Sequence, residues 1–175
     1  MFSESYVYKD ELLKYAKDLL KRKYQKKWFD ETYLTIEKEI FFGFFIIRKL
    51  CESFLISNSL KKKMYKVGKI YYKITFNLNY FNICKILDYI DLNKEKADRI
   101  SIKRLCNQFI HSYYLFILNH KEESNVRVLL SSDYSKSKEC LIVNIETVAN
   151  IFKEFGENYP ICSQELGEIN SIKFK

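Results

Sequence analysis

The stretch from Ser101 to Tyr113 holds the side chains of this sequence best suited to chemistry. Arg104, Asn107 and His111 are spaced three and four residues apart within it. On an α-helix residues so spaced line one stripe, because seven residues close almost two full turns. Arg104 carries a permanent cation with forked donors, and His111 can gain or lose a proton near neutral pH. Asn107 can hold a phosphate or orient the imidazole. Such a set suits a phosphodiester, with His111 as general base on a 2′-hydroxyl or general acid on the leaving 5′-oxygen. Arg104 would neutralise charge developing on the phosphoryl oxygens. RNA brings its own nucleophile, so this chemistry calls for no cofactor and no metal. Its products are a 2′,3′-cyclic phosphate and a 5′-hydroxyl. The plainer reading is a half-buried helix whose polar stripe satisfies neighbouring helix ends.

Arg104, six intervening residues, His111 and then Tyr113 resemble the signature of the HEPN superfamily, α-helical proteins that include many metal-independent endoribonucleases. The resemblance implies a role in host defence or in a toxin–antitoxin pair, and a homodimer whose motifs face across a shared cleft and supply a second His111. It also implies an acidic residue on the helix facing the motif, for which Glu52 is the candidate. Tyr113 would be a site of modification by a nucleotidyltransferase-like antitoxin, where core packing is the plainer reading. Leu105 follows Arg104 at a place where many active members carry a polar residue, often Asn. The alternative within the same resemblance is a catalytically inactive RNA- or protein-binding module.

The elements that would position these residues are read from hydrophobic periodicity. Residues 5–28 predict a first helix with Leu12, Ala16 and Leu19 on its apolar face and lysines opposite, ending in the basic run Lys21–Lys27. Cations there complement the helix dipole or contact RNA. Asp30 is the expected N-cap of a long second helix, about 30–56. Its centre, Ile40–Ile47, is apolar all round and predicts a buried spine. Arg48 and Glu52 follow as an i,i+4 pair that forms a surface ion pair or lines the cleft of Arg104 and His111. Arg48, Lys49 and Lys103 are the expected RNA-binding cations.

Residues 60–80 are ambiguous, with Lys69–Phe76 a strand or an extended connection. Residues 81–91 suggest a short helix and 92–99 a polar loop. Ser101 then caps a motif helix expected to run to about Leu118, with His120 an ordinary surface histidine beyond it. Val126–Leu130 and Glu139–Val143, joined by the turn-rich Ser131–Ser137, predict a β-hairpin. Asn144 is the expected cap of a last helix, Ile145–Phe155, stopped by Gly156. Residues after Pro160 read as a polar tail.

Composition bounds the rest. The chain has 175 residues, enough for one domain spanning 1–175, and 47% are apolar. Four Gly and one Pro favour long helices. A formal net charge of +8 favours a polyanionic partner, RNA above all, or serves only solubility. Five scattered cysteines without a Cys-x-x-Cys pair show neither a metal pattern nor a disulfide framework, which points to a reducing cytoplasm. Residues 1–20 are charged throughout, unlike a signal peptide. The most apolar run has eight residues, against about 20 for a membrane span. Together these lead to a mainly α-helical, HEPN-like bundle with an appended β-hairpin and a C-terminal helix, and with no membrane association.

Overall fold

The computed structural model describes residues 2–53, 55–73, 78, 79, 81–120 and 125–159. In chain order the elements are α1 (Phe2–Arg22), α2 (Asp30–Cys51), α3 (Asn58–Lys61), β1 (Met64–Tyr71), α4 (Ile86–Tyr89), β2 (Lys96–Ser101), α5 (Ile102–Ile110), β3 (Ser112–His120), β4 (Asn125–Ser132), β5 (Glu139–Asn144) and α6 (Ile145–Gly156). Single 3₁₀ turns at Ile83–Lys85 and Leu92–Lys94 flank α4. The five strands form one antiparallel sheet in the order β2-β1-β5-β4-β3. This overturns the expected mainly helical bundle: the fold is mixed α and β, and the sheet is its centre rather than an appendage.

The largest departure lies at the motif helix, expected to reach Leu118. It ends at Ile110, and Ser112–His120 is strand β3. Tyr114 joins the smaller core, with Tyr113, Phe116 and Leu118 packed against it, while Leu115 and Ile117 pack on the larger core. Both faces of β3 therefore meet apolar neighbours. A strand apolar on both faces loses its period-two signature and reads like a buried helix. Strand β2 is hidden for the opposite reason. It is an edge strand, mostly exposed and polar, so its first residues read as loop.

The sheet has two covered faces. Helices α1, α2, α5 and α6 lie over one, in a core that includes Leu12, Ile36, Ile40, Ile47, Leu105, Val128 and Val148. On the other, Leu78, Ile86 and Ile90 cover Ile70, Leu129, Cys140 and Ile142. Phe44 of α2 stacks on Phe109 of α5, ring centroids 4.1 Å apart, and meets Phe152 of α6 edge-on at 5.3 Å. Gly43 makes room for this cluster, since a Cβ there would land on the Phe152 ring.

The α2 spine is only half a spine. Ile40, Phe44, Ile46 and Ile47 are buried, but Phe41, Phe42 and Phe45 are exposed, because no element among the described residues covers the outer side of α2. Lys9, three residues before Leu12 and in line with Ala16 and Leu19 on the apolar face of α1, is buried and donates to Leu55 O (3.0 Å) and Asn158 O (2.6 Å). Asp30 is the first residue of α2 and Phe29 occupies the cap. The predicted hairpin is present as β4–β5, and Asn144 caps α6 by accepting from Glu146 N at 2.9 Å. Gly156 is the last residue of α6 rather than a stop beyond it. A Cβ at Gly156 would strike Leu13 of α1. The short helix expected over 81–91 appears as the 3₁₀ turn and α4. The expected strand Lys69–Phe76 overlaps the end of β1, residues 74–77 and the tail after Pro160 lying outside the described residues.

Two outcomes follow for stability. Gly43→Ala should cost about 1–3 kcal/mol by overpacking, despite gaining up to ~1 kcal/mol of helix propensity. Urea unfolding of Gly43→Ala alone and with Phe152→Leu checks it, the second change restoring most of the loss. Burial raises the Tyr114 hydroxyl far above its usual pKa of 10.0 and that of Tyr72 to about 12, and the two share a 2.9 Å hydrogen bond. Their contribution is whole below about pH 10 and is lost as pH rises toward the folded values, because the unfolded chain ionises first. Urea midpoints should therefore fall above about pH 10, less steeply in Tyr114→Phe.

Candidate functional site

Helices α2 and α5, locked by the Phe44–Phe109 stack, border a cleft of about 240 Å³ at the C-terminal end of α2. Arg48, Cys51 and Glu52 line it from the end of α2, and Lys61 from α3. Ile102, Lys103, Cys106 and Asn107 line it from α5. Arg48 donates from Nη1 to Asn107 Oδ1 (3.2 Å) and from Nε to Glu52 Oε1 (3.2 Å). Lys61 Nζ is held by Ser53 O at 2.6 Å. Three cations thus surround one carboxylate, and that carboxylate is solvent-exposed and screened.

The N-terminus of α5 opens into the same cleft through Ile102 and Lys103. Ser101 caps it, its hydroxyl accepting from Arg104 N at 3.4 Å. A helix N-terminus presents unpaired amides and the positive end of the dipole, which favours an anion. Cys51 and Cys106 form apolar walls. Burial pushes the Cys51 thiol up to about 11, against a smaller downward pull from Lys61, and pushes Cys106 higher still. Both are held as thiols, so neither suits nucleophilic catalysis at neutral pH. Among the described residues no three His, Cys, Asp or Glu side chains gather as a metal would need.

The sequence-derived candidates separate into two groups. Arg48, Glu52, Lys103 and Asn107 come together in the cleft. Arg104 does not: it lines a smaller depression of about 140 Å³ with Gln108, Tyr134, Ser135, Lys138 and the carboxylate Glu139. His111 lines neither. It is the exposed C-cap of α5, with φ −107° and ψ 29°, its carbonyl accepting from Asp133 N at 3.3 Å. Because the chain leaves the helix at His111, the stripe that would join positions 104, 107 and 111 is broken there. Lys49 lies outside the cleft, donating to the Tyr8 hydroxyl at 2.9 Å. Tyr113 sits on β3, half-buried under Lys136, whose Nζ lies 4.1 Å from the ring centre.

Sequence reasoning passed over Lys61. A usable signal stands in the sequence, since Ser57 begins a capped turn that ends in Lys61-Lys62-Lys63, and Ser57 Oγ does accept from Leu60 N. What pattern reasoning lacked was the fold-back that brings α3 beside α5. Comparison with protein-family models, with curated proteins and with solved structures finds no match to this chain.

The thiol environments predict an order of reactivity. With Cys162→Ser as background and DTNB at about pH 8, the exposed Cys84 should label first and Cys51 far more slowly. Cys106 and Cys140 should label only on unfolding. Labelling rates with peptide mapping check this, and rapid modification of Cys106 in the native protein would contradict the closed cleft wall.

Proposed function

We propose that this protein is an RNA-binding module that seats a backbone phosphate in the α2–α5 cleft. The observation that carries the reading is the convergence of Arg48, Lys61 and Lys103 with the N-terminus of α5 around the Asn107 amide. Phosphate recognition needs fixed cations and backbone donors, and both are present without a competing buried carboxylate. The Asn107 side-chain amide, already accepting from Arg48, keeps its N–H donors available in principle for a phosphate oxygen or a ribose 2′-hydroxyl. Contacts of this kind position a backbone without reading bases, so binding should be largely independent of sequence. Arg104 and Lys138 at the neighbouring depression would extend the track. The buried thiols suit a reducing compartment, and the module is proposed to act in the cytoplasm.

Binding is favoured over cleavage because Arg104, Asn107 and His111 do not face a common point. The test is fluorescence anisotropy with a labelled single-stranded RNA across a salt series, with the RNA recovered and sized afterwards. Affinity should fall as salt rises. Lys61→Ala and Lys103→Ala should each lower the salt slope by about one and weaken binding to all sequences alike. Asn107→Leu should narrow any preference for RNA over DNA of the same sequence. Absence of RNA affinity at low salt, or affinity untouched by these changes, would overturn the reading. RNA cut in EDTA by the wild type but not by a folded His111→Ala would replace it with the ribonuclease reading.

A further inference from the structure

The outer face of α2 carries an apolar stripe that nothing in the chain's described residues covers. Leu34, Phe41, Phe42 and Phe45 are 56%, 39%, 50% and 51% exposed. Aromatic side chains of roughly 200 Å² each make this patch on the order of 400 Å², the size at which an exposed apolar surface marks an interaction site. The spacing is regular. Glu31, Leu34, Lys38, Phe41, Phe45 and Arg48 alternate three and four residues apart, the seam of a helix that packs lengthwise on another helix.

The charges along this seam select the partner. The first turn of α2 is acidic (Asp30, Glu31) and its last turn is basic (Arg48, Lys49). An antiparallel copy of the same helix sets acid against base at both ends. Pairing centred between residues 39 and 40 places Glu31 against Arg48 of the second copy and Leu34 against its Phe45. Lys38 then lies over the second copy's Phe41, where its stem and charge both suit an aromatic face. A parallel pairing would set Lys38 on Lys38 and Arg48 on Arg48. A membrane with anionic headgroups would meet the carboxylates of Asp30, Glu31 and Glu37 on the same side of the helix.

We propose that α2 pairs with α2 of a second copy, antiparallel and about a two-fold axis, to form a homodimer through Leu34, Phe41 and Phe45. The apolar strip supplies on the order of 400 Å² toward the roughly 800 Å² per partner of a stable interface. This inference does not depend on RNA binding. At 1.5 Å rise per residue, the two Arg48 positions would lie about 25 Å apart along the pair, a span that one RNA strand can bridge.

Sedimentation equilibrium of the full chain from about 1 to 100 μM tests the proposal, with folding followed by circular dichroism. The wild type should sediment at twice the 21.1 kDa chain mass. Phe45→Glu should remain folded and raise the dissociation constant at least about 30-fold, as expected of a central interface residue. Phe45→Leu should stay dimeric, and Glu31→Arg should weaken the dimer more at low salt than at high salt. A wild type that is monomeric throughout overturns the proposal, whether or not it sediments with anionic vesicles. So does a dimer that a folded Phe45→Glu leaves intact, since the contact would then lie elsewhere.

Discussion

The arrangement depends on one aromatic contact, the Phe44–Phe109 stack braced by Phe152. It joins the helix before the sheet, the helix within it and the helix after it. Stacked and edge-on ring pairs stabilise by about 0.5–1.5 kcal/mol beyond their burial, but here the geometry matters more than the energy. Two parallel rings 4.1 Å apart fix the distance between α2 and α5 at one point. Beyond that point, toward the C-terminal end of α2, the two helices line the cleft. Gly43 lets α6 approach closely enough to close the third side of the cluster.

A second constraint sets what the cleft can hold. Strands β2 and β3 occupy opposite edges of the sheet, so the chain between them must cross its width. Four inter-strand spacings make that about 19 Å, and nine residues of helix cover about 13.5 Å of it. Helix α5 has this crossing as its task and ends when the far edge is reached. Its length is therefore dictated by topology and not by the local propensity of Tyr113–Leu118. The consequence for chemistry is direct. Its N-terminal half faces the α2 cleft and its C-terminal end delivers the chain into β3, leaving His111 on the rim.

Local signals were legible where local physics decides. Ser101 and Asn144 cap the helices they were expected to cap, and the Val126–Val143 hairpin stands as read, because caps and turns are satisfied by neighbours in sequence. The sheet was not legible. Its central strand β5 pairs with β1, about seventy residues earlier, and no local pattern encodes that register. β3 was misassigned because apolar side chains lie on both of its faces, and β2 because an edge strand bears polar residues. The site divided along the same line. Asn107 was found because helical spacing relates it to Arg104, and Arg48 because it pairs i,i+4 with Glu52, whereas Lys61 enters only through the tertiary turn at α3. The stripe that included His111 failed because it assumed about two more turns of helix than the topology allows.

The distribution of charge follows from the same fold. Several cations elsewhere meet carboxylates brought from distant sequence: Lys69 with Asp98 and Glu139, Lys63 with Glu154, Lys23 with Glu146 and Arg127 with Glu95. At the α2–α5 cleft the opposing element is the N-terminus of another helix, which adds positive potential instead of cancelling it. Arg48 answers only to Glu52, an exposed side chain on its own helix, and Lys61 to a backbone carbonyl. An excess of +8 over the whole chain is thus not spread evenly. Part of it is concentrated at the cleft, where Arg48, Lys61 and Lys103 converge on the N-terminus of α5. There a bound phosphate would gain more from each cation than it could on an open basic surface.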